Sequence, residues 1–118
     1  ERYGEAEALY LKTLELRRTL LGDEHPEVAT TCNNLAALYN SQQRFAEAGD
    51  LYYKAWDICR RSLGYHHPKT QLFRRNLELF RLQNQISSFW QRRVMSMLLT
   101  LCLMGLCTIA IVRYFHFH

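Results

Sequence analysis

The stretch from Asn33 to Ile58, NNLAALYNSQQRFAEAGDLYYKAWDI, holds two runs of helical period on either side of a polar turn. Ahead of the turn, Leu35, Ala36 and Tyr39 continue an apolar stripe begun at Val28 and Cys32; behind it, Phe45, Ala48, Leu51, Tyr52, Ala55, Trp56 and Ile58 make a second. SQQR, polar throughout, joins them. Two amphipathic helices linked by so short a connection form a hairpin. Small residues at Ala36, Ala48 and Ala55 allow its helices to approach closely, and Tyr39 and Tyr52 are large enough to fill the gaps beside them.

Working outward, the hairpin belongs to a repeat. Arg2 to Gln43 laid over Arg44 to Gln85, an offset of 42, gives fourteen identities, among them Arg2/Arg44, Ala6/Ala48, Leu9/Leu51, Tyr10/Tyr52, Lys12/Lys54, Asn34/Asn76 and Leu35/Leu77. A repeat of this length implies a stacked array in which each unit buries its apolar face against its neighbours. The segments between helices recur too, as LGDEHPEV (Leu21 to Val28) and LGYHHPKT (Leu63 to Thr70). An Asp-Glu-His run could ligate a metal or move a proton, yet the carboxylates are what the second copy replaces. The constant residues all have backbone reasons: Gly22 and Gly64 suit a helix end that needs positive φ, and Pro26 and Pro68 suit the first turn of the next helix. His25 and His67 fall at the capping position. We read the motif as punctuation, with no metal site.

Residues 33–58 resemble the tetratricopeptide repeat family, Leu35, Ala36 and Tyr39 matching its first-helix signature and Ala48, Tyr52 and Ala55 its second. The 42-residue spacing and the LGxxHPxVAxxxNNLA link are similar to the repeats of kinesin light chains and nephrocystin-3-like proteins. The resemblance covers residues 1–85 and implies an all-α solenoid of helical hairpins, a partial array of about two units. Arg2 and Tyr3 correspond to the turn before a second helix, so the leading unit begins mid-repeat and the chain reads as a piece of a longer one. Glu78 and Arg81 replace Ala36 and Tyr39, which marks the array's last unit.

What the resemblance implies about function is a groove lined by first helices, where a protein or peptide ligand lies along Thr30, Asn33, Asn34, Ala37, Asn40, Arg75, Asn76 and Leu79. Amides suit this role because each offers a donor and an acceptor. Asn34 and Asn76 match groove asparagines that contact cargo peptides in kinesin-light-chain-like repeats; the alternative is a hydrogen bond tying adjacent helices. A chaperone-recruiting clamp on a peptide carboxylate would want basic residues where Thr30 and Asn33 stand, leaving only Arg75, Asn34 and Asn76 to serve it.

The carboxylates Glu5, Glu7, Glu15, Glu47, Asp50 and Asp57 are spread along polar stripes, no nucleophile is spaced with a histidine, and there is no glycine-rich phosphate loop. We expect no catalytic residues, no cofactor and no enzyme. Cys32, Cys59, Cys102 and Cys107 lack CxxC or zinc spacing and read as reduced packing residues.

The net charge of +4 conceals an asymmetry: residues 1–57 hold ten acids and six basic side chains, and residues 58–118 one acid and nine. Next to the basic half lies VMSMLLTLCLMGLCTIAIV, residues 94–112, nineteen residues without a charge. As a helix it would extend about 28 Å, close to the hydrocarbon thickness of a bilayer. We expect a transmembrane helix at 94–112, a basic juxtamembrane linker at 86–93 and a short tail at 113–118. Trp90 and Tyr114 flank the apolar run where amphipathic rings favour the interface. Arg74, Arg75, Arg81, Arg92 and Arg93 precede the span and only Arg113 follows it, which puts the repeats on the cytoplasmic side of a tail-anchored protein. Anionic headgroups account for these arginines better than nucleic acid, since no aromatic stacking platform interleaves them. The alternatives are a soluble cargo-adaptor fragment whose apolar end closes the repeat stack, and a shifted reading frame at the end of the fragment. Oligomeric state is not legible.

Overall fold

The computed structural model describes residues 2–117 and contains four helices: α1 (Tyr3–Leu21), α2 (Pro26–Ser41), α3 (Phe45–Leu63) and α4 (Pro68–Phe117). The chain divides into two units, one ending at Arg81 and one beginning at Leu82. α4 contributes its first turns to the former and forms the whole of the latter.

Local chemistry sets the helix ends. Gly22 and Gly64 follow α1 and α3 with φ of 89° each, a region that side chains with a Cβ rarely adopt. Pro26 and Pro68 open α2 and α4. His25 Nδ1 accepts the backbone N–H of Glu27 at 3.1 Å, and His67 Nδ1 accepts that of Lys69 at 3.1 Å. Both histidines are therefore caps, as their place before the prolines predicts. The SQQR turn closes α2 differently. Gln43 takes φ 61°, the Gln43 N–H donates to Asn40 O at 3.0 Å and the Arg44 N–H to Tyr39 O at 2.9 Å. That bonding pattern satisfies the last carbonyls of α2 and reverses the chain into α3.

Two apolar clusters hold the first unit. One gathers Val28, Ala29 and Cys32 of α2, Ala55, Ile58 and Cys59 of α3, and Phe73 of α4. The other gathers Leu35, Ala36 and Tyr39 of α2, Ala48 and Tyr52 of α3, and Leu77 and Phe80 of α4. Ala36, Ala48 and Ala55 are wholly buried, so the three alanines stand at the close helix contacts. Gly49 takes the same logic further: a Cβ there would lie 3.0 Å from the Phe80 ring, which packs on Tyr52 with ring centroids 5.3 Å apart.

The equivalent stripes of α1 and α3 fare differently. Ile58 is 1% exposed, whereas its counterpart Leu16 is 56% exposed and Leu9 is 66% exposed. α3 is packed between α2 and α4; α1 meets the clusters only through half-buried Tyr10 and Leu14. Polar ties supplement that contact: Glu7 accepts from the Tyr39 hydroxyl at 3.1 Å and from Arg44 at 3.0 Å, and Arg17 donates to the Thr31 hydroxyl at 2.8 Å.

In α4 the counterparts of Ala36 and Tyr39, Glu78 and Arg81, are exposed. The face that α2 offers to its own hairpin partner is thus polar in α4, and no turn follows. Residues 86–93, expected as a linker, are helical, and α4 runs unbroken through Gln85, the counterpart of Gln43. This helix alone among the described residues is long and apolar enough to cross a membrane, and none of its apolar window is buried within the structure.

Candidate functional site

The expected binding residues fall on α2 and the first turns of α4, one helical face each. On α2, Asn34 and Ala37 are exposed, while Thr30, Asn33 and Asn40 are half-buried. On α4, Arg75 is exposed, Leu79 is 58% exposed, and Asn76 is half-buried. The Asn76 amide donates to Asn33 Oδ1 at 3.0 Å, so the two helices are tied across the repeat by a side-chain bond. It was Asn34, the exact repeat counterpart of Asn76, that the offset paired with it; the bond goes instead to its neighbour, one residue earlier. Asn34 remains free to face a ligand.

Thr30 and Asn40 do less on the surface. The Thr30 hydroxyl donates to the Pro26 carbonyl at 3.1 Å, inside its own helix. Asn40 Oδ1 is occluded and has no protein partner. Leu72, half exposed on α4, joins the face without having been singled out, and its offset of 42 from Thr30 was the signal available. The face carries no carboxylate among these residues. Its one cation, Arg75, enters no ion pair, whereas adjacent Arg74 bonds the Tyr65 hydroxyl and pairs with Glu78 at 3.4 Å. The surface is therefore of amides, aliphatic patches and a single unpaired positive charge.

The remaining arginines lie further along α4. Arg81 ends the first unit, and Arg92 and Arg93 stand in the second, where the Arg93 guanidinium lies over the Phe89 ring at 5.5 Å. Burial pushes the Cys32 and Cys59 thiols up from their ordinary range, which keeps them protonated and unreactive at neutral pH. Among the described residues no cluster of three or more His, Cys, Asp or Glu could hold a metal ion.

The tetratricopeptide repeat family matches the chain twice, over residues 1–27 and 28–69, and the second match begins at Val28, where α2 presents its first buried side chain. This chain belongs to the tetratricopeptide repeat family. Members of this family are protein-interaction scaffolds, and the helical first unit is one. No individual curated protein matches the chain.

Proposed function

We propose that the first unit binds a partner peptide along the α2 and α4 face, and that residues 94–112 anchor it in a membrane with the repeats on the cytoplasmic side. The observation that carries the binding reading is the exposure of Asn34, Ala37, Arg75 and Leu79 on two helices tied by the Asn33–Asn76 bond. Packing needs none of those four side chains. An unpaired arginine amid amides suits an acidic peptide, whose backbone the amides can meet with both donors and acceptors. The 42-residue spacing supports a place among kinesin-light-chain-like and nephrocystin-3-like members.

The membrane reading is supported by nineteen uncharged residues in an unbroken helix whose apolar surface nothing covers. The arginine excess before residue 94 supports the orientation.

Binding of an acidic peptide to the full chain in detergent tests the first part. Arg75→Ala with Asn34→Ala should weaken affinity at least tenfold while the urea midpoint stays within error, and amidating the peptide's C-terminus should change little. Unaltered affinity in a folded double variant would remove the assignment; dependence on the free carboxylate would point to a terminal clamp. Carbonate extraction tests the anchor: the chain should stay in the membrane pellet, and Leu99→Arg should release part of it.

A further inference from the structure

We infer that Arg93, between Trp90 and Met97 on one face of α4, holds the phosphate of an anionic phospholipid whose acyl chains lie along Val94, Met97 and Thr100. This rests on the membrane reading above and deepens it. Expected headgroup attraction was spread over five arginines, and the structure distributes them unequally. Arg74 is engaged by Glu78 and Tyr65, and Arg75 and Arg81 belong to the repeat unit. Arg92 and Arg93 stand immediately before the uncharged run, in no ion pair, and no acid follows Glu78 in the sequence. Their charge is uncompensated within the unit.

Helical spacing puts Phe89 and Trp90 one turn before Arg93 and Met97 one turn after it. The Arg93 guanidinium leans over Phe89 at 5.5 Å, away from the apolar run, as side chains on a helix incline toward its N-terminus. If Val94 marks the hydrocarbon edge, that guanidinium lies at phosphate level, with Trp90 beside it at the interfacial depth its ring favours. A shallow depression lined by Trp90, Arg93, Val94, Ser96, Met97 and Thr100 continues down the same face. Trp90 is 60% exposed and Met97 is 63% exposed, so both are open to a chain lying alongside. A free phosphate would use Arg93 but gain nothing from this apolar continuation. A phospholipid uses both, and a headgroup of net negative charge leaves the arginines an uncompensated anion that a zwitterionic headgroup does not.

One basic residue near an anionic surface contributes about a fivefold preference. The full chain is placed in phosphatidylcholine vesicles on a Trp56→Phe background, which leaves Trp90 as the one tryptophan. Its fluorescence is quenched by a minor fraction of chain-brominated phosphatidylserine or, separately, of chain-brominated phosphatidylcholine. Phosphatidylserine should quench more strongly, with about fivefold higher apparent affinity. Arg93→Gln should abolish the preference, and Arg113→Gln, at the far end of the span, should retain it. Equal quenching by both lipids in the parent chain, or a preference that survives Arg93→Gln, overturns the lipid site and leaves the anchor standing. Quenching by neither lipid overturns both.

Discussion

Thr70 shows what a single atom costs inside the repeat. It is wholly buried at the position that Val28 occupies one unit earlier, and its hydroxyl has no hydrogen-bond partner. Valine fills nearly the same volume without a polar group to desolvate, so Thr70→Val should raise stability by about 1 kcal/mol. The measurement is a urea midpoint, and a drop in place of a rise would mean that the hydroxyl is satisfied after all. The repeat offset made this position readable as core. It did not reveal that the threonine would be unpartnered, because that depends on which carbonyls come within reach.

Between elements, the fit of α3 against α4 turns on Gly49. The corresponding residue on α1 is Glu7, which bonds Tyr39 and Arg44. On α3 the position is bare, and the Phe80 ring occupies the space a side chain would need. Gly49→Ala should be close to neutral, since alanine gains about 1 kcal/mol of helix propensity against a tight contact. Gly49→Val cannot turn both its methyl groups away from the ring and should cost about 1–3 kcal/mol through overpacking. Thermal melts of the two variants separate the cases: equal melting temperatures would show that Phe80 yields freely and that the contact is not a constraint. A glycine inside a helical pattern was visible in the sequence, but its partner thirty-one residues later was not.

Over the whole repeat unit, charged side chains link what the apolar clusters leave open. Arg61 bridges Asp57 on its own helix and Glu24 in the α1–α2 connection, each at 2.8 Å, and Lys69 reaches Glu27 at 3.3 Å. The hydrogen bond from Arg60, reinforced by the charge of Arg61, holds the Asp57 carboxyl below its ordinary range, and the hydrogen bond from Arg44 does the same for Glu47. A carboxyl whose folded pKa lies below its unfolded one contributes stability above about pH 4, and that contribution is lost as pH falls through the folded value. Denaturation midpoints should therefore decline between about pH 4 and pH 2. Asp57→Asn should flatten that slope and lower the neutral-pH midpoint only modestly, because its partners Arg60 and Arg61 are exposed and their charge is screened by solvent. An unchanged slope would assign the acid sensitivity to other carboxylates.

The helices, the glycine and proline boundaries, the histidine caps and the apolar run at 94–112 were all determined by the residues themselves, because each depends on neighbours within a turn or two. Gln43 and Gln85 mark where that stops. They are the same residue at the same place in the repeat, yet Gln43 adopts a left-handed turn and Gln85 continues a helix. The turn at Gln43 is stabilised by what it permits, the burial of Ala48 and Tyr52 against α2; the residues after Gln85 have no such face to bury, so the helix propagates. Tertiary structure likewise decided that Asn33, and not Asn34, bonds Asn76, and that Leu9 and Leu16 stay exposed while Ile58 is covered. In each case the outcome depends on the surface that lies opposite, which no local pattern encodes.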